Sequence, residues 1–229
     1  MKPVTYSKAL YVSIVIIILG WLFKSIWSIS RIDYFSELEQ DPEGFFNVVT
    51  ISGIMTLLVI FILLKLTRES FSDLDLTFKG FWRQLAFGVL FGIGIFFFHS
   101  FVLSPIFNSF LPNNSISLEN FFTSKSYIPI WITLAIFKGG FQEEIWRVFV
   151  LNRFKKWKGR NGEIVALILS SIVFGLAHLY QGWDTVASTG VLGLFFGWLY
   201  LHFRKAWIPI IAHAVFDLIA ISFAFSMYL

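Results

Sequence analysis

Seven runs of apolar residues divide this chain from end to end, and each is close to the length that crosses a bilayer. A transmembrane helix needs about 20 predominantly apolar residues. The runs cover residues 8–28, 46–66, 82–104, 128–151, 164–180, 186–203 and 207–228. Only 14% of the residues are charged, against about 25% in ordinary soluble domains. The sequence therefore predicts an all-α, polytopic transmembrane bundle of about seven to eight helices, with residues 1–229 forming a single domain.

The connections between these runs differ in charge, and the difference predicts how the helices are oriented. Lys and Arg gather in every second connection, at 65–83, 152–163 and 204–205. Cytoplasmic connections carry an excess of Lys and Arg, so we expect residues 152–163 and the N-terminus in the cytoplasm and residues 105–127 outside. The first run has no small-residue cleavage site and predicts a retained helix rather than a signal peptide. The eighth element would be a re-entrant segment near residues 180–184.

Composition excludes several classes of protein. The chain has no cysteine, which excludes disulfides and Cys-ligated metals. Its pI is about 9.3, but the basic residues lie in short runs between apolar segments, so we expect a lipid bilayer and not nucleic acid as the partner. The compact chain suggests a bacterial inner membrane, and its oligomeric state is left open.

Ionisable side chains inside the fourth apolar run are the first indication of function. Glu143, Glu144 and Arg147 lie within five residues, although each charge at the bilayer centre costs about 2.5–3.5 kcal/mol even on lenient insertion scales. Residues three or four apart share a helix face, so Arg147 can pair with either glutamate but cannot neutralise both. The remaining carboxylate suits general-base chemistry. The alternative is a buried ion pair that only fixes helix packing. Lys138, about one turn before Glu143, can either snorkel to the interface or help to neutralise the site.

Two later runs each carry a histidine and a second motif residue at helical spacing. Phe174 precedes His178 by four residues in the fifth run, and His213 precedes Asp217 by four in the last. A carboxylate beside an imidazole fixes its tautomer and can favour its protonated form. Taken singly, each pair is explained equally well by a hydrogen bond between packed helices. Together with the glutamates, the two pairs are a stronger indication of function than any of the three clusters alone.

In this order, the three clusters resemble the motifs of the CPBP family of intramembrane proteases, also called the CAAX protease and bacteriocin-processing, or Abi, family. The family pattern is a Glu-Glu pair ending in Arg, then Phe-x-x-x-His, then His-x-x-x-Asn or Asp, each on a separate transmembrane helix. The resemblance covers about residues 128–225, which would form the catalytic core. It implies an intramembrane endopeptidase that acts on a membrane-embedded peptide or protein.

The resemblance also implies a role for each motif residue. Glu143 and His178 would activate a water molecule, and His213 with Asp217 would bind the oxyanion or the substrate carbonyl. Glu144 and Arg147 would set the charge and position of the base, completing a catalytic set whose members are Glu143, Glu144, Arg147, His178, His213 and Asp217.

One spacing departs from the family pattern. The family has Glu-Glu-x-x-x-Arg, whereas this chain has Glu143-Glu144-x-x-Arg147. Aligned on the glutamates, the arginine comes one residue early; aligned on the arginine, Gln142 takes the place of the base. The first alignment is preferred because Gly140-Phe141-Gln142 resembles the family's approach to its glutamates. The second would make the protein an inactive CPBP-like membrane partner, such as an immunity protein or a scaffold for an envelope enzyme.

The sequence leaves the cofactor open. The family is often labelled as metalloproteases, and a divalent metal such as Zn²⁺ held by Glu143, His178 and His213 is compatible with these residue types. A metal-free water activated by glutamate satisfies the same residues, and of the two we favour this one because the chain has no His-Glu-x-x-His motif.

Overall fold

The computed structural model describes residues 4–30, 40–112 and 121–229. Within these ranges the chain is helical apart from short turns, which confirms the predicted all-α transmembrane class. A π-helix, His99–Leu103, follows the α-helix Phe81–Phe98, and a second π-helix, Leu134–Glu143, precedes the α-helix Glu144–Leu176. The α-helices of the described ranges are α1 Val4–Ser30, α2 Pro42–Leu66, α3 Phe81–Phe98, α4 Ser104–Asn108, α5 Ile128–Thr133, α6 Glu144–Leu176, α7 Trp183–Phe203 and α8 Trp207–Tyr228.

Six continuous helical stretches of the described chain are long and apolar enough to cross a membrane. One of them, Lys125–Leu176, reverses direction at Lys158 and Gly159, where Gly159 has a φ of 62°. The Arg147 guanidinium lies 4.7 Å from the Phe174 ring, whereas a straight helix would separate these residues by about 40 Å. The stretch is therefore two antiparallel segments, 125–157 and 160–176, and the described ranges contain the seven predicted segments.

Two connections differ from the prediction. The basic connection expected over 152–163 is reduced to the turn at Lys158 and Gly159, because the helices continue almost to it from both sides. Between α6 and α7 there is a single 3₁₀ turn, Leu179–Gln181, rather than a re-entrant helix. The acidic residues 31–39 of the first connection and residues 113–120 of the third lie outside the described residues. The orientation relative to the cytoplasm stays a prediction.

Glycines allow the helices around the site to approach closely. α8 packs between α3 and the π-helix Leu134–Glu143. A Cβ atom on Gly92 of α3 would lie 2.6 Å from the Ala212 carbonyl oxygen of α8. On α7, a Cβ on Gly193 would lie 3.1 Å from the Cα of Ser171 on α6. Small residues at such crossings let backbones come together where lipid provides no hydrophobic drive for association. The motif-bearing segments are thereby packed around one point.

An ion cluster outside the membrane-spanning segments ties the end of α2 to α6. The Glu69 carboxylate pairs with Arg153, whose side chain is fully buried, and with Lys156. Burial raises the pKa of Glu69, but the hydrogen bond from Lys156 and the charge of Arg153 outweigh burial and hold this pKa at about 2, below its ordinary value of about 4.3. This cluster fixes the turn of α6 against the chain that leads to α3.

Candidate active site

The first motif lies at the end of a π-helix, whose winding differs from that of an α-helix. Its backbone bonds join residues five apart, so residues five apart lie one above the other. Lys138 Nζ accordingly donates to Glu143 Oε1 at 2.5 Å. In an α-helix, positions five apart would diverge by about 140° around the axis. The π-helix thus brings together two charges that α-helical spacing would separate.

Two glycines in the π-helix face α8 and explain how close that helix comes. A Cβ atom on Gly139 would lie 2.0 Å from Asp217 Oδ2, and one on Gly140 would lie 2.7 Å from Ala214 Cβ. A side chain at Gly139 would displace the Asp217 carboxylate, and one at Gly140 would clash with α8 itself, because the Ile210 carbonyl oxygen lies 2.9 Å from the Cβ position. The glycines therefore allow the last helix to bring His213 and Asp217 to the glutamate pair.

Glu144 is the centre of a buried network. Its side chain is inaccessible to solvent, and its two oxygens accept from Arg147 Nε at 2.9 Å and from Arg147 Nη2 at 3.2 Å. Its Oε1 also lies 2.9 Å from His213 Nδ1. Because an ionised carboxylate only accepts hydrogen bonds, this contact assigns a proton to Nδ1 and turns Nε2 of the ring toward the rest of the site.

Glu143 lies on the more open side of this network. His213 Nε2 is 4.0 Å from Glu143 Oε2 and 3.6 Å from Asp217 Oδ2, both beyond direct hydrogen-bond length. The side chains of Glu143 and Asp217 retain 16% and 25% exposure, whereas Glu144 retains none. The two adjacent glutamates therefore have different surroundings, one sealed into an ion pair and one facing accessible space.

His178 completes the set without touching a carboxylate. Its Nδ1 lies 2.8 Å from the Phe174 carbonyl oxygen, so in the neutral ring Nδ1 carries the proton and Nε2 is an acceptor. Among the described contacts, Glu143 bonds to Lys138 and His178 to the Phe174 carbonyl, and the two side chains form no hydrogen bond with each other. The Phe174 ring contacts His178, His213 and the Arg147 guanidinium at 5.0, 5.8 and 4.7 Å. All three predicted motifs thus meet around one phenylalanine.

Three further residues belong to the site; Phe196 and Lys24 were not predicted from the sequence, and Gln142 was considered there only as an alternative position for the base. Phe196 of α7 stacks on His213, with ring centroids 4.5 Å apart. Lys24 of α1 acts electrostatically on Glu143. Gln142 is 5% exposed, and its Oε1 has no hydrogen-bond partner among the described residues. A charged residue inside the first apolar run was an available signal for Lys24, whereas nothing local in the sequence marks Phe196.

The residues proposed for a metal do not fit one in this arrangement. Across residues 4–30, 40–112 and 121–229, no three His, Asp or Glu side chains are placed to hold an ion. The Lys138 ammonium binds one oxygen of Glu143, and the Nδ1 atoms of His213 and His178 are bound to Glu144 and to the Phe174 carbonyl oxygen.

Comparison with known proteins identifies the segment that carries these residues. Residues 124–219 match the profile of a family described as Rce1-like, type II CAAX prenyl endopeptidase. The matched segment begins just before α5, ends on α8 and contains all three motifs. No significant match was found among curated proteins or among solved structures. This match supports assigning the segment to the CPBP, or CAAX protease, family.

Proposed function

We propose that this protein is an intramembrane endopeptidase that hydrolyses a peptide bond in a membrane-associated peptide or protein. The observation that supports the proposal is the difference in contacts and exposure between two adjacent glutamates. Arg147 and His213 bind both oxygens of Glu144, whereas Glu143 keeps Oε2 free of direct hydrogen bonds and faces accessible space. A carboxylate in such a position can take a proton from water.

The reaction proceeds through addition of water and loss of the amine. Glu143 Oε2 removes a proton from a water molecule, and the hydroxide adds to the carbonyl carbon of the substrate. His178 Nε2, an acceptor in the neutral ring, shares in positioning that water. Collapse of the tetrahedral intermediate breaks the carbon–nitrogen bond, and the proton held by Glu143 passes to the leaving amine. The products are one new carboxylate and one new amine, with no acyl-enzyme.

His213 supplies stabilisation for the oxyanion. Three carboxylates, those of Glu143, Glu144 and Asp217, surround its ring and stabilise a positive charge on it. The resulting N–H at Nε2 is a charged donor held in place by the Nδ1 bond to Glu144 and by the stacked Phe196 ring. Preorganised donors of this kind contribute most when charge develops in the transition state. Asp217 orients this donor between turnovers.

An inactive membrane partner is the second candidate, and the shortened Glu-Glu-x-x-Arg spacing is the observation in its favour. In that interpretation, Gln142 stands where the base belongs and Glu143 is the partner of Arg147. The contacts support the alignment on the glutamates, because Arg147 binds Glu144 at spacing three. Spacings of three and four share one helix face, so a shortened motif still permits the pair.

The test is cleavage of membrane-anchored reporter peptides by the purified protein in liposomes, with the products identified by mass. We expect two fragments whose masses sum to that of the substrate plus one water, and we expect His178→Ala to reduce their rate of formation. Glu163→Gln is a matched control, because Glu163 is also a buried glutamate of α6 but pairs with Arg204 away from the site. Absence of cleavage by the wild type, with peptides anchored at either end, would favour the inactive partner.

A further inference from the structure

We propose that Lys138 is a positioning residue for this reaction, whose ammonium keeps Glu143 ionised and directs its second oxygen toward the substrate. The inference rests on the proposed function, which makes Glu143 the base. Lys138 is not part of the three motifs that define the family resemblance. Its role follows from the π-helix and from the packing of α2.

The contact between the two side chains is direct and largely shielded. Lys138 Nζ donates to Glu143 Oε1 at 2.5 Å, and the side chains retain 19% and 16% exposure. Because the lysine binds Oε1, the other oxygen is the one that faces His213, at 4.0 Å. A single hydrogen bond therefore fixes both the rotation of the carboxylate and the oxygen that is presented to the substrate.

The position of Lys138 is built by two separate elements. The π-helix Leu134–Glu143 places Lys138 beneath Glu143, as described above. The stem of the lysine lies against Gly53 of α2, where a Cβ atom would be 3.1 Å from Lys138 Cδ. The glycine leaves room for the stem, and α2 lies outside the segment that matches the family. The two elements together hold the ammonium at the carboxylate.

Other charged groups also face Glu143, but none replaces this contact. Lys24 of α1, His178 at the end of α6 and His213 of α8 act on it through charge. Within the described part of the chain, only Lys138 donates a hydrogen bond to its carboxylate. A shielded carboxylate without a bound cation favours its neutral form. A protonated Glu143 could not accept a proton from water, so loss of the lysine should disable the base.

Infrared spectroscopy tests the state of Glu143 without any assay of proteolysis. We expect Lys138→Met to add one protonated-carboxyl absorption at neutral pH that the wild type lacks. The double variant Lys138→Met/Glu143→Gln should lose this absorption again, which assigns it to Glu143. A Lys138→Met spectrum with no added band would overturn the inference. Lys155→Met removes an exposed lysine of the same segment and should leave the spectrum unchanged.

Chemical restoration of the amine tests the consequence for turnover. The chain has no cysteine, so Lys138→Cys carries a unique thiol that 2-bromoethylamine converts to an aminoethyl side chain of nearly the length of lysine. We expect kcat for Lys138→Cys to fall about 100-fold with little change in KM, within the range of about 10²–10⁴ that general-base catalysis contributes. Aminoethylation should restore kcat to at least about a tenth of the wild-type value.

The same sample treated with 2-bromoethanol gains a neutral side chain of similar size and should keep the reduced kcat of Lys138→Cys. The turnover of Lys155→Cys should be the same before and after modification with either reagent. A fully aminoethylated protein, verified by mass, that remains inactive while the wild type cleaves would overturn the role in turnover. A wild type that cleaves nothing would instead contradict the proposed function, and the infrared experiment would then decide the inference about Lys138.

Discussion

Glu144→Gln should destabilise the folded protein far more than a comparable change elsewhere on the same helix. The substitution keeps the shape of the side chain but removes the charge that neutralises Arg147, whose side chain is 3% exposed. Breaking a buried ion pair by removing one partner costs about 3–5 kcal/mol, because the other charge stays buried. The glutamine oxygen can still accept one hydrogen bond from the guanidinium, so we expect about 3 kcal/mol.

Thermal unfolding of the detergent-solubilised protein, followed by tryptophan fluorescence, measures this loss. For a chain of this length, 1 kcal/mol corresponds to about 2–4 °C in Tm, so Glu144→Gln should lower Tm by about 6–12 °C. Glu163→Gln is the matched control. It also breaks a bidentate ion pair made by a glutamate of α6, but the side chain of the partner, Arg204, is 37% exposed. Because Arg204 stays partly solvated when Glu163 loses its charge, no cation is left buried and unpaired, and the shift should be clearly smaller than that of Glu144→Gln.

A double variant distinguishes an unpaired charge from a general loss of packing. In Glu144→Gln/Arg147→Met the buried cation is removed together with its partner, which is often close to neutral for stability. The double variant should therefore recover most of the lost Tm. A double variant no more stable than Glu144→Gln alone, or a Glu144→Gln shift equal to that of Glu163→Gln, would refute the reasoning.

Two other predictions concern packing and pH. Gly140→Ala should cost about 1–3 kcal/mol through overpacking, because its Cβ would lie 2.9 Å from the Ile210 carbonyl oxygen of α8. Gly94→Ala, where a Cβ meets nothing within 4 Å, should leave Tm unchanged or raise it, and equal shifts in the two variants would contradict the close approach of α8. Glu69 has a pKa lowered to about 2 by Lys156 and Arg153 against its burial, so its contribution is present above about pH 4.3 and is lost as pH falls toward 2. The difference in Tm between wild type and Glu69→Gln should shrink over that interval, and a constant difference would argue against the pairing.

The helical class and the membership of the site were predictable from sequence for a simple physical reason. Apolar runs of bilayer length have few alternatives to transmembrane helices, and residues four apart lie on one helix face. Phe174 and His178, or His213 and Asp217, could therefore be paired before their helices were placed. The convergence of the pairs depended on the resemblance, since the sequence does not show which helices pack together.

The features that were missed depend on backbone winding and on contacts between distant helices. Lys138 was placed near the glutamates from the sequence, but its direct bond to Glu143 at spacing five was not predicted, because α-helical rules relate residues three or four apart and the π-helix has no compositional signal. The reversal at Lys158 and Gly159 was predicted as a longer loop, since basic residues are typical of connections but also fit helix ends. Phe196 reaches His213 only through the packing of α7 against α8, which no local pattern encodes.

The central claim, that Glu143 is the base, is tested most directly by the turnover of Glu143→Gln in liposomes beside that of Gln142→Glu. We predict that Glu143→Gln lowers kcat by about 10²–10⁴-fold, the usual contribution of general-base catalysis, with Tm close to that of the wild type because Glu144 retains its contacts with Arg147 and His213. Gln142→Glu should not increase turnover. Unchanged turnover in Glu143→Gln, or activity that appears only in Gln142→Glu, would contradict the account.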